Sequence, residues 1–80
     1  SKIDDTSFSK FILNNRMSLT DIRIMKCDNI TDKGIEMMTC LVTNLQALHV
    51  EACPHITKFS QTVVATNCKQ TKYTFHAYRT

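Results

Sequence analysis

Leu19-Thr20-Asp21-Ile22-Arg23-Ile24-Met25-Lys26-Cys27-Asp28-Asn29-Ile30-Thr31 and Leu45-Gln46-Ala47-Leu48-His49-Val50-Glu51-Ala52-Cys53-Pro54-His55-Ile56-Thr57 are two copies of one pattern. At an offset of 26, Leu19 falls on Leu45, Ile22 on Leu48, Ile24 on Val50, Cys27 on Cys53, Ile30 on Ile56 and Thr31 on Thr57, with no gap. A period of this length marks stacked units, each burying its apolar face against the next. An incomplete copy precedes them. At an offset of 27, Ile3 lies over Ile30, Asp5 over Asp32, Phe8 over Ile35 and Phe11 over Met38, so the chain begins inside a repeat.

The local structure follows from the spacing. Ile22 and Ile24 alternate with Asp21, Arg23 and Met25, and Leu48 and Val50 with Ala47, His49 and Glu51, the period of a strand with one buried face. Thr31 or Asp32 offers an oxygen to the first free N–H groups of a helix, whose buried face is Ile35, Met38 and Leu41. Thr57 does the same for a helix carrying Phe59 and Val63. Lys72 to Tyr78 alternates again as a third strand in either of two registers, and Phe75 is placed inward because a phenyl ring costs least to bury. The expected fold is α/β: a right-handed leucine-rich-repeat solenoid of short parallel strands alternating with helices, about two and a half to three repeats long. Its divisions are a partial repeat 1–18, repeats 19–44 and 45–70, and a terminal strand 71–80.

Composition removes several functions. One glycine, Gly34, and one proline, Pro54, leave no glycine-rich phosphate loop, dinucleotide fingerprint or nucleophile elbow. No apolar run is long enough for a membrane span, and Ser1-Lys2-Ile3-Asp4-Asp5 does not read as a signal peptide. A net charge of +3 without a basic stripe or an aromatic stacking platform gives no nucleic-acid footprint. The charge is nevertheless uneven: all seven acids precede residue 52, and Lys58, Lys69, Lys72 and Arg79 follow it.

Cys27-Asp28-Asn29-Ile30-Thr31-Asp32-Lys33-Gly34-Ile35 and Asn44-Leu45-Gln46-Ala47-Leu48-His49-Val50-Glu51-Ala52-Cys53-Pro54-His55-Ile56-Thr57 resemble the cysteine-containing class of leucine-rich repeats. That class is typical of F-box/leucine-rich-repeat proteins. The resemblance implies the substrate-recognition region of a cullin-RING (SCF) ubiquitin-ligase receptor, holding a protein substrate on the concave face of the solenoid. The Skp1-cullin machinery would be reached through an F-box outside these residues, and the compartment would be cytoplasmic or nuclear. The chain also resembles the mitochondrial coupling factors of ATP synthase through Ile3-Asp4-Asp5 and Cys27-Asp28-Asn29-Ile30-Thr31-Asp32-Lys33-Gly34-Ile35, which implies a mitochondrial assembly or coupling role. A third expectation is a non-catalytic scaffold.

Four cysteines in a short chain invite a disulfide reading, and the repeat replaces it. Cys27 and Cys53, one period apart, stack in one column at the turn from strand to helix, where a small thiol is a buried weak hydrogen-bonding group. Cys40 and Cys68 fall near helix C-termini, and all four are expected to be structural. No Cys-x-x-Cys is present and His49, His55 and His76 lack ligand spacing, so neither a metal nor another cofactor is expected.

Outward-facing strand residues are where such stacks bind. They are Asp21, Arg23 and Met25, then Ala47, His49 and Glu51, then Thr74, His76 and Tyr78, a set containing arginine, methionine and aromatic side chains that are enriched in protein interfaces. A nucleophile needs a base within reach, and His49 beside Glu51 with Arg23 next door is the one arrangement that suggests catalysis; charged neighbours sit this way on many sheets without chemistry, and no catalytic residues are assigned. So short a stack is expected to be marginally stable alone.

Overall fold

The computed structural model describes residues 3–76. Helices and strands alternate as α1 (Asp5–Asn15), β1 (Asp21–Met25), α2 (Asp32–Leu41), β2 (Ala47–Glu51), α3 (Lys58–Asn67) and β3 (Lys72–His76). The strands form one parallel sheet in the order β1-β2-β3. Asp21 lies opposite Ala47 and Ala47 opposite Lys72, so the strands repeat at intervals of 26 and then 25 residues. In the other layer α1 packs on α2 and α2 on α3.

Each helix starts where an oxygen replaces the missing intrahelical partner of its first N–H groups. Asp4 accepts from the Ser7 N–H at 2.9 Å while the Asp4 N–H donates to Ser7 Oγ, a reciprocal capping box. Thr31 and Thr57 accept from the Lys33 and Phe59 N–H groups, both at 3.2 Å. The residue after the cap works sideways. The Asp5 carboxylate accepts from the N–H and the hydroxyl of Thr31, and Asp32 accepts from the N–H and the hydroxyl of Thr57 at 2.7 and 2.6 Å. The caps of α2 and α3 are therefore each held by a carboxylate of the helix before. Asp32 also accepts from the hydroxyl of Ser60, a residue with no exposed surface.

A second recurring device ends the strands. Lys26 and Ala52, both outside glycine, take the left-handed conformation with φ of 56° and 54°. That turn drops Cys27 and Cys53 under the sheet, where their thiols donate to the carbonyls of Met25 and Glu51 at 3.4 and 3.3 Å. Left-handed backbone costs an alanine roughly 1 kcal/mol. Ala52→Gly is accordingly expected to raise stability by about 0.5 kcal/mol, after the greater chain entropy of unfolded glycine is subtracted. Urea unfolding of the two proteins checks this, with a lower midpoint for the glycine variant as the contrary result.

The core lies between sheet and helices. Ile22, Ile24, Leu48 and Val50 point down from the strands onto Phe8, Ile12, Ile35, Met38 and Val64, with Cys27, Cys53, Ile30 and Ile56 at the turns. Gly34 belongs to this layer because a Cβ there would run into the Asp5 carboxylate. One period on, Ser60 occupies the same place and turns its hydroxyl to Asp32. Gly34→Val should therefore push Asp5 off Thr31 at a cost of about 2 kcal/mol, the usual scale of overpacking. Gly34→Ser should lose less, because its hydroxyl can donate to Asp5 as Ser60 does to Asp32. Parallel thermal melts test the order, and equal losses would contradict it.

The sequence expectations are adjusted at four places. In α3 the buried residues are Ser60 and Val64, while Phe59 is 53% exposed and Val63 half-buried. Anchoring of Ser60 to Asp32 rotates the helix so that its largest side chain is left outside. In α1, Phe11 is 54% exposed and Ile12 takes the interior. Leu41 is half-buried, with Val42 completing the core in its place. Cys40 is exposed and so has no core role, unlike Cys27, Cys53 and Cys68.

Candidate protein-binding face

Parallel pairing aims residues that stand opposite one another to the same side of the sheet. The outward rows are Asp21, Ala47 and Lys72; Arg23, His49 and Thr74; and Met25, Glu51 and His76. The inward rows are Ile22, Leu48 and Tyr73, and Ile24, Val50 and Phe75, which settles the two registers of the third strand in favour of Phe75 inward. Phe75 packs against the core, although half exposed, and Thr74 and His76 share the outer face with the first two strands. Tyr78 lies outside the described residues. Lys72 is the outward residue missed by sequence reading; its position two before Thr74 in an alternating strand was the available signal.

This face is open. Asp21, Arg23, Met25, Lys72, Thr74 and His76 are exposed, and Ala47, His49 and Glu51 on the central strand are half-buried. A shallow depression of about 360 Å³ runs across it, lined by Asp21, Arg23, Met25, Ala47, His49, Lys72 and Thr74 among others. Cations and anions are interleaved on it rather than segregated.

His49 Nε2 stands 3.0 Å from Glu51 Oε1, and the His49 and His76 rings meet edge to face with centroids 6.4 Å apart. Glu51 fixes the ring orientation of His49, as a carboxylate does in a catalytic triad. The Cys53 thiol, two residues beyond Glu51, is turned inward to the Glu51 carbonyl. Among the described residues no three His, Cys, Asp or Glu side chains converge as metal ligands.

Cys53 and Cys68 are chemically quiet. Burial pushes the Cys53 thiol up, against the hydrogen bonds it makes, and burial likewise pushes up Cys68, with the neighbouring Cys40 adding to the effect. A raised thiol is protonated at neutral pH and a poor nucleophile or metal ligand. All four are free thiols.

No helix among the described residues is long and apolar enough to cross a membrane. No protein-family model matches the chain, and no curated protein matches it either.

Proposed function

We propose that the chain is a stretch of a right-handed leucine-rich-repeat solenoid that acts as a non-catalytic protein-recognition module, with its partner held on the outer face of β1, β2 and β3. One observation carries this reading: three strands in continuous register present an uncovered surface of mixed charge, with His49 at its centre between Arg23 and Thr74. Rigid strands supported from below by a packed core hold such side chains in fixed positions, which lowers the entropy cost of binding. Interleaved charges favour a partner of complementary pattern over a uniformly charged polymer. The solenoid form is supported by recurrence of the same cap, the same left-handed turn and the same thiol contact in successive units.

The specific form of the proposal is a substrate receptor of an SCF ubiquitin ligase, resting on the resemblance of the two Cys-x-x-Ile-Thr segments to that repeat class. The test uses the full-length polypeptide in its native cells. Arg23→Glu with His49→Glu should release the bound partner, while Lys33→Glu on the exposed side of α2 should not. Loss with both variants, or with neither, counts against the face. Co-purification of Skp1 decides the ubiquitin-ligase form separately, and its absence would sink that form.

A further inference from the structure

His49 stands on the central strand, between Arg23 and Thr74 in its row. Among the described residues, the charged and titratable groups that share its side of the sheet are Glu51 on β2, Asp21 and Arg23 on β1, and Lys72 and His76 on β3. Strands added beyond β1 or β3 would leave this set in place, because each of its members lies on the central strand or directly beside it. One contact fixes the chemistry of the ring. An ionised carboxylate accepts hydrogen bonds and has none to donate. The 3.0 Å approach of His49 Nε2 to Glu51 Oε1 therefore puts the proton of the neutral imidazole on Nε2 and leaves Nδ1 a bare lone pair. His49, its side chain 34% exposed, borders the shallow depression on this face together with Arg23, whereas Glu51 does not. The nitrogen that Glu51 leaves over is thus the one available to a molecule lying there.

On the reading of the outer face as a recognition surface, we propose that His49 selects the partner as a hydrogen-bond acceptor, taking an amide N–H of a protein segment on Nδ1 while Arg23 donates to the carbonyl beside it. Charge and polarity favour this group over others. With both histidines neutral, Asp21 and Glu51 offset Arg23 and Lys72, so the face prefers neither sign. A carboxylate would set its lone pairs against that of Nδ1, and an ammonium has nothing to offer the Arg23 guanidinium. An amide, whether of the peptide backbone or of an Asn or Gln side chain, has a donor and an acceptor side by side. A buried donor left without its acceptor is costly, which makes such a contact selective. Protonation reverses the preference. Histidine changes charge near neutral pH, and the added proton goes to Nδ1, where it turns the acceptor into a donor facing the partner's N–H. The same event unbalances the face by one positive charge, and protonation of His76, whose ring meets His49 edge to face at 6.4 Å, adds to it. The partner is therefore held at neutral pH and released on mild acidification.

Two readouts on the full-length polypeptide test this. In nitrogen NMR spectra of labelled histidine at neutral pH, His49 should show a bare Nδ1 and a protonated Nε2, and Glu51→Gln should let both tautomers appear. A neutral His49 protonated on Nδ1 would overturn the proposal. A photoreactive side chain at Thr74 then probes the face itself. Its adduct with another protein should fall about tenfold between about pH 7.5 and about pH 5.5. His49→Asn, whose amide oxygen takes the place of Nδ1, should keep the adduct at both pH values. His49→Lys, a fixed donor, should lose it about tenfold at both. His76→Gln should leave the fall in place. An adduct that ignores pH, that His49→Asn removes, that His49→Lys retains, or whose pH dependence goes with His76 would each overturn the proposal while leaving recognition by the outer face standing. No adduct from any strand position at neutral pH would instead remove that recognition, and the role of His49 with it.

Discussion

Asp32→Ala is expected to lose about 3–5 kcal/mol, the largest effect of any polar substitution in this chain. Three groups donate to the one carboxylate: the Thr57 N–H at 2.7 Å, the Thr57 hydroxyl at 2.6 Å and the Ser60 hydroxyl. Alanine removes the acceptor for all three and leaves the Ser60 hydroxyl, which has no exposed surface, without its partner. A domain of this size has roughly 4–12 kcal/mol in hand. The variant should therefore melt about 15–30 °C lower, as read by circular dichroism. Asp32→Asn keeps one acceptor oxygen and should fall between the two.

The same carboxylate dictates a pH dependence. Burial raises the pKa of Asp32, but the hydrogen bonds from Ser60 and Thr57 together outweigh it and hold the group below its ordinary value of 3.8. A group depressed on folding binds fewer protons in the folded than in the unfolded protein through that window. Its contribution is then complete above the ordinary value and fades as pH falls below it through the folded value. Asp4, lowered chiefly by the Ser7 N–H, acts in the same direction and window. Urea midpoints should thus separate wild type from Asp32→Asn widely at neutral pH and converge as pH falls below the ordinary value of 3.8 and through the lowered folded value. A gap that stays constant with pH would show that the carboxylate charge is not what holds the two units together.

Leu48→Ala is the largest apolar loss expected, about 3–4 kcal/mol from transfer and cavity together. Leu48 is 2% exposed in the middle of the central strand, between Ile22 and Tyr73 in its row, and the rigid pairing on both sides leaves little room for collapse. Tyr73→Ala, in the same row but at the sheet edge and 37% exposed, should cost monomer stability less than half as much. Chemical denaturation gives both values. Equal losses would mean that the sheet edge is as well packed as its centre.

The repeat made the strands legible because the alternation of Ile22 and Ile24, and of Leu48 and Val50, is set by burial, and burial follows the strand period. The third strand was ambiguous for an identifiable reason. Thr71 stands where the earlier units have Leu19 and Leu45, and the interval to the strand is one residue shorter. The buried Thr71 compensates by donating its hydroxyl to the Leu45 carbonyl at 2.6 Å, a lateral contact that no periodicity announces. The aspartate ladder was hidden in the same way. Asp32 read as a cap of its own helix, whereas it serves the next one, and the error over Phe59 followed because Ser60 is drawn inward by that carboxylate. Outer-face positions on the first two strands were readable as the complement of the buried ones. Lys72 was readable only from the alternation within β3, two before Thr74, because the repeat offset fails at the shortened interval.

The decisive measurement is a photo-cross-linking map of the full-length polypeptide in its native cells, with a photoreactive side chain placed singly at Arg23, His49 and Thr74 on the sheet and at Glu36 and Thr62 on the helices. Binding through the open sheet predicts adducts with one and the same other protein from the three strand positions and none from the helices. Adducts from Glu36 or Thr62 in place of the strands, or strand adducts only with further copies of this chain, would contradict it.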